Sequence, residues 1–276
     1  MSPDAAPPAA SPPQTFVVPL DGSDFASRAV PVAAELTRRF DADLVLMSAP
    51  PTLSCDGDAL LPGWLQELAD TTDAARVETV VAEANEPVDE LVALLSTHPD
   101  PVVVMTTHGR GVLGSAALGG VAQQIVHAVT VPLVMVGRAC ASSRSWAGPV
   151  LVCHDGSTAA DAALAPAVTW ADALGLPLAL VHVFHPLDVA TAEAPTEAVQ
   201  GAIDALGPGT VTHVVRNYRP ADAIQELAHR LGASLVVMST HGRTGFARIA
   251  LGSVAMDVVR NSECPVLVVR PATLEG

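Results

Sequence analysis

Apolar runs and helical-period patterns alternate along the chain. In the second half, "PVLVCH" (149–154) is apolar almost throughout, the pattern of a strand buried on both faces. "STAADAALAPAVTWADALG" (157–175) follows, with Ala162, Leu164, Ala165, Val168 and Leu174 on one broad helical face and Gly175 as the stop. "LPLALVHVF" (176–184) and "TVTHVVRN" (210–217) predict the second and third strands. "RPADAIQELAHRLG" (219–232) predicts a helix with Ala223, Ile224, Leu227, Ala228 and Leu231 inward and Gly232 at its end. "SLVVMS" (234–239) predicts the fourth strand, 253–261 another helix, and "PVLVV" (265–269) the last strand. Segment 188–206 is weakly patterned, and a loop with a short helix is expected there. Strands alternating with helices build right-handed βαβ units around a parallel sheet. Five such strands make a doubly wound, Rossmann-like α/β domain.

The first half says nearly the same thing. "TTHGRGVLGSAALGGVAQQIVHAVTVPLVMVG", from Thr106, aligns with "STHGRTGFARIALGSVAMDVVRNSECPVLVVR", from Ser239. "TFVVPLDGSDFASRAV" likewise parallels "PVLVCHDGSTAADAAL", each an apolar run ending in Asp-Gly-Ser. A tandem repeat follows. The expected division is a Pro/Ala-rich disordered leader over 1–14, a first domain over 15–138, a small polar linker over 139–148 and a second domain over 149–271.

Composition narrows the function. Half the residues are hydrophobic but only 3% are aromatic, so the cores must be built from Val, Leu and Ala. A formal charge of −15 argues against nucleic acid and anionic membranes as partners, which need Lys/Arg surfaces. It leaves room for a local anion site made of backbone N–H groups. Cys55, Cys140, Cys153 and Cys264 show no metal or redox spacing. With no signal-peptide pattern and no apolar stretch long enough to span a bilayer, a cytoplasmic location is expected.

In a doubly wound sheet, ligands sit beyond the carboxyl ends of the strands, where strand order reverses. Two segments of the second half lie there: the turn at His154, Asp155 and Gly156, and the loop over 239–251. That loop is rich in glycine, which allows close approach to the main chain. It ends in Gly252 and Ser253 at a helix start, where free N–H groups of Ser253, Val254 and Ala255 meet the positive end of the helix dipole. A serine at that start can cap the helix or turn its hydroxyl to a phosphate oxygen. Together these parts form an anion cradle. His108 and His241, matched in the two loops, are read as turn-shaping residues, because no nucleophile is fixed beside them. His154, His182 and His213 are read as satisfied core or rim residues, and no pair has metal-ligand spacing.

Through these residues the chain resembles a tandem universal stress protein. The family's nucleotide motif is Gly-x-x-Gly, nine residues, Gly, then Ser or Thr. Its matches are Ser239, Gly242, Gly252 and Ser253, with nine residues between Gly242 and Gly252. The resemblance covers nearly all of the chain beyond the leader, twice. It implies a five-stranded sheet ordered 3-2-1-4-5, of the adenine nucleotide alpha hydrolase-like kind, and ATP in the cleft, as in many members. It places Asp155 near the ribose or base, Val183 against adenine through its backbone, and Met238 and Ser239 along the nucleoside. Gly242, Arg243, Gly252, Ser253 and Val254 would surround the phosphates, with Mg²⁺ riding on them. Ser239 departs from the motif's first glycine, and Cys153 stands where some members have proline, as Pro19 does in the first half.

The first half departs further. Its series is Thr106, Gly109, Gly119 and Gly120, so the hydroxyl is lost, with Arg110 and Val121 beside them. Asp21 is present and Ala49 stands where Val183 does. Losing the hydroxyl costs about 1 kcal/mol or somewhat more, so the first site should bind ATP more weakly or be a structural copy. GxxxxGK[ST] does not occur and neither loop has a lysine, so the arrangement reads as holding nucleotide rather than turning it over, with slow hydrolysis left open. The expected function is that of a nucleotide-responsive stress or dormancy regulator with no catalytic or metal-ligating residues. The competing reading is an interaction scaffold with an empty cleft. The resemblance further implies that the two fifth strands pair as an internal pseudo-dimer. A homodimer of chains is also expected.

Overall fold

The computed structural model describes residues 11–49, 62–82, 87–107, 118–141, 145–186, 199–240 and 251–271. The chain divides into two compact units, Pro13–Arg138 and Ala139–Gly276. The first runs β1 (Thr15–Leu20), α1 (Asp24–Ser27), α2 (Ala29–Phe40), β2 (Asp43–Ser48), α3 (Gly63–Thr71), β3 (Val77–Val81), α4 (Pro87–Thr97), β4 (Pro101–Thr106), α5 (Gly120–Ala128) and β5 (Leu133–Val136). Its strands are parallel and ordered β3-β2-β1-β4-β5.

The second unit repeats the plan. It runs β6 (Val150–Cys153), a 3₁₀ turn (Ala160–Ala163), α6 (Leu164–Leu174), β7 (Leu178–Phe184), α7 (Gln200–Leu206), β8 (Val211–Arg216), α8 (Pro220–Leu231), β9 (Leu235–Ser239), α9 (Ser253–Asn261) and β10 (Val266–Val269). Its parallel strands are ordered β8-β7-β6-β9-β10. Counted within each unit, both sheets therefore read 3-2-1-4-5. In each, the first strand lies between the second and the fourth, so the crossovers leave in opposite directions and a crevice opens at the strands' carboxyl ends.

Strands β5, β6, β9 and β10 are buried end to end, as their unbroken apolar runs predict, and have no exposed residue. Helix α8 follows its periodicity, burying Ala221, Ala223, Ile224, Leu227 and Ala228 and ending at Gly232, which takes φ +59°. Leu231, expected inward, is only half-buried.

The helix expected over 157–175 is the main departure. It opens as the 3₁₀ turn, and α6 begins only at Leu164. Pro166 lacks the N–H that would bond one turn back, so it sits in the first turn of α6, where none is needed. The tighter opening turn shifts the helical phase. Ala163, Ala167, Trp170 and Ala171 join Leu164 and Leu174 in the core, while Ala162, Ala165 and Val168 stay half-buried. Of the weakly patterned segment, α7 is a short helix, and 187–198 lies outside the described residues. Among the described residues no helix is long and apolar enough to cross a membrane.

Candidate functional site

Strand β6 ends at Cys153, and the chain turns at once through His154, Asp155, Gly156 and Ser157. Gly156 has φ +84°, a conformation that other residues adopt only with strain. The Asp155 carboxylate closes the turn by accepting the Ser157 N–H at 3.1 Å and the Ser157 hydroxyl at 2.5 Å through one oxygen, Oδ1. Ser157 Oγ in turn accepts the Ala160 N–H at 3.3 Å. The aspartate is thus oriented by its own short loop, a common use of Asp at turns.

Across the crevice, β9 ends at Ser239 and α9 begins at Ser253. Gly252 is the cap residue, in extended conformation, and its N–H donates to the Thr240 carbonyl at 2.8 Å. A Cβ at Gly252 would lie 3.3 Å from that oxygen, so the approach of loop to helix favours glycine here. Ser253 is therefore the first helical residue and not the cap, so its hydroxyl stands at the exposed helix mouth without a capping role. The first-turn N–H groups of α9 have no partner within their own helix, which gives that end its positive character.

Between these two edges lies a cavity of about 290 Å³. Of the residues expected to hold a ligand, it is lined by Asp155, Val183, Met238, Ser239, Gly252, Ser253 and Val254. Gly242 and Arg243 lie outside the described residues, as do His241 and Arg248. Cys153 also lines the cavity, and burial, seconded by Cys264, pushes its thiol well above the usual range. It stays protonated and serves as an apolar wall rather than a nucleophile. The size suits a small organic ligand, and the mixture of apolar wall and few polar groups is typical of such sites.

The sequence reading missed part of the lining. His154, His185, Pro220 and Ile224 all face the cavity. Pro220 and Ile224 belong to the start of α8, and Ile224 was expected only as core. His154 had a visible signal, its place immediately before Asp155.

The first unit carries the same turn. Asp21 Oδ1 accepts the Ser23 N–H at 2.9 Å and the Ser23 hydroxyl at 2.6 Å, with Gly22 at φ +75°. Pro19 lies in β1 opposite Met47, and Ala49 follows β2. Thr106 ends β4 and is buried. Gly119 caps α5, its N–H donating to the Thr107 carbonyl at 3.1 Å, with Gly120 and the exposed Val121 opening the helix. Gly109, Arg110 and His108 lie outside the described residues. Among the described residues no group of His, Cys, Asp and Glu is arranged to hold a metal ion.

Comparison with known proteins agrees with this duplicated architecture. A family model described as the universal stress protein family matches residues 13–137 and again 147–270. A universal stress protein of Mycolicibacterium smegmatis is 31% identical over 183 residues, 62% of this chain and 62% of that protein. One of Mycobacterium tuberculosis is 32% identical over 187 residues, 61% of this chain and 58% of that protein. The matches thus span less than two thirds of either relative. The crystal structure of a universal stress protein from Archaeoglobus fulgidus shares the fold at TM-score 0.71 and 22% identity, covering 94% of this chain and 98% of that one.

Proposed function

The chain belongs to the universal stress protein family, and from that premise we propose that it is a nucleotide-responsive stress or dormancy regulator holding ATP in the second unit's crevice. One observation carries the reading. A fixed carboxylate, a strand end and the N-terminus of α9 converge on one cavity at the point where strand order reverses. In this reading Asp155 meets the ribose or base, Val183 offers its backbone to adenine, and Met238 and Ser239 flank the nucleoside. Gly242, Arg243, Gly252, Ser253 and Val254 surround the phosphates, and Mg²⁺ travels with them. Pro19, Asp21, Ala49, Thr106, Gly109, Arg110, Gly119, Gly120 and Val121 form the weaker counterpart in the first half.

The protein is proposed to bind rather than to catalyse. GxxxxGK[ST] is absent, and neither loop supplies a lysine to stabilise leaving-group charge. Domains at 15–138 and 149–271 with a linker at 139–148, a cytoplasmic location, pairing of the two halves and a homodimer complete the proposal. Isothermal titration of the full chain with ATP·Mg tests it. Binding by the wild type and its loss in Gly252→Glu are expected, because the new side chain meets the Thr240 carbonyl and brings negative charge to the phosphate end. An unchanged isotherm in that variant, or no wild-type binding at millimolar ATP, refutes it.

The scaffold reading draws its support from Thr106 and Ser239, which stand where the motif has its first glycine, and from Gly120, which supplies no hydroxyl at the helix start. It predicts that protein denatured after purification releases no adenine nucleotide.

A further inference from the structure

We infer that His154 is a positioning residue of the second unit's cavity: it locks the Asp155 turn in place, and this lock is missing from the first unit. The inference rests on the ATP reading above for its ligand, but its geometry is independent of it.

His154 is 5% exposed and lines the cavity. Every polar atom it owns is committed. Its backbone N–H donates to the Val181 carbonyl at 3.0 Å, extending the β6–β7 pairing by one residue. Its carbonyl accepts from Nδ1 of His182, itself buried, at 2.9 Å. Ring Nδ1 accepts the Gly156 N–H at 3.1 Å. Ring Nε2 lies 2.9 Å from Asp161 Oδ1.

These partners determine the tautomer. A backbone N–H can only donate, so Nδ1 carries no proton. A neutral imidazole then carries its proton on Nε2, which donates to the Asp161 carboxylate. The carboxylate holds the ring, and the ring holds the Gly156 N–H. That N–H belongs to the positive-φ residue directly after Asp155. The aspartate is therefore held twice, by Ser157 on its carboxylate and by His154 across its backbone.

The first unit has the Ser23 half of this arrangement only. Leu20 occupies the place of His154 and has no acceptor to offer the Gly22 N–H. Ser27 occupies the place of Asp161, and its hydroxyl donates instead to the Ser23 carbonyl at 3.1 Å. A preorganised turn loses less freedom when a ligand arrives, so the lock favours binding at the second unit.

The test is titration of full-length variants with ATP·Mg, with thermal midpoints recorded beside each affinity. His154→Leu, which installs the first unit's residue, should raise Kd about tenfold, the loss of one hydrogen bond to a placed N–H. His154→Asn should restore most of the affinity, because its Oδ1 can accept the Gly156 N–H from the position of Nδ1. Asp161→Ala guards against misfolding of the leucine variant, since the Asp161 side chain is 56% exposed. It should raise Kd about threefold with little change in midpoint, since one partner of the ring is lost at the surface. A lowered midpoint with wild-type affinity in His154→Leu, or equal weakening by Leu and Asn, overturns the inference. So does wild-type affinity in Asp161→Ala. If the wild type itself binds no ATP, the ATP reading falls and takes this role with it. Binding that ignores these substitutions overturns the role of His154 alone.

Discussion

Gly120→Ser converts the first unit's helix start into that of the second. The backbone tolerates it: a Cβ at Gly120 meets nothing within 4 Å, and the residue is exposed at the first position of α5. Replacing a helical glycine also removes a penalty, so stability should hold or rise by about 0.5 kcal/mol. The added hydroxyl lies where Ser253 lies on α9. A hydrogen bond to a charged phosphate oxygen contributes about 1.5–3 kcal/mol, which is roughly tenfold or more in affinity. The assay needs the second cavity silenced, so Gly252→Glu serves as the background. Calorimetry with ATP·Mg should show weak binding in that background and binding about tenfold tighter once Gly120→Ser is added, the low end of the hydrogen-bond range. Identical isotherms with and without the serine, from folded proteins, would show that the hydroxyl does not limit the first site, and the assignment of Ser253 would fall with it.

Other outcomes follow from packing and charge. Gly148→Ala should destabilise the second unit by at least about 3 kcal/mol, the upper end of overpacking costs, read by urea unfolding. Its methyl would lie 1.9 Å from the Gly232 carbonyl oxygen. Trp170→Ala should cost about 3–5 kcal/mol in the same assay, since the indole is 2% exposed. Burial opposes ionisation of Glu35, but hydrogen bonds and charge from Arg38 and Arg39 overcome it and hold the carboxyl below its ordinary range. A lowered folded-state value stabilises the fold above the unfolded carboxylate range and loses that contribution as pH falls through it. Glu35→Gln should therefore flatten the acid side of the stability curve, and an unchanged acid slope would count against these pairs.

Strands were legible because buried parallel strands leave unbroken apolar runs, as in "SLVVMS" and "PVLVV", whereas their order in the sheet was implied only by the family resemblance. The helix after β6 was legible as a helix but not in phase. Pro166 delays the α-helix to Leu164, and the 3₁₀ opening rotates Trp170 into the core. Periodicity counted at 3.6 residues per turn cannot register that rotation. At the crevice, the spacing of glycines located Gly252, yet the cap position expected of Ser253 belongs to Gly252, where the chain's close approach to Thr240 favours glycine. His154 was read as a satisfied residue, which it is. The sequence does not reveal that its partners include Gly156, two residues on, and His182, 28 residues on. The contact with His182 depends on how β6 and β7 are registered, which emerges only with the folded sheet, and the contact with Gly156 depends on the turn's positive φ.

The duplication separates what the backbone supplies from what side chains supply. Both units make the Asp-Gly-Ser turn with the same two hydrogen bonds, at 2.9 and 2.6 Å in one and 3.1 and 2.5 Å in the other. Both tie the helix cap to the carbonyl just beyond the fourth strand, at 3.1 and 2.8 Å. Both units therefore carry the same aspartate turn after the first strand and the same glycine-capped helix start after the fourth. Among the positions that differ there are Leu20 against His154, Ala49 against Val183 and Gly120 against Ser253. Leu20 leaves an N–H unclaimed by a side chain, and Gly120 withholds a hydroxyl. Both changes are expected to weaken the first site, by separate means. Sites that share no partner add their effects. Restoring the hydroxyl alone should thus recover only part of the gap between the two halves, and adding Leu20→His to that variant should recover more.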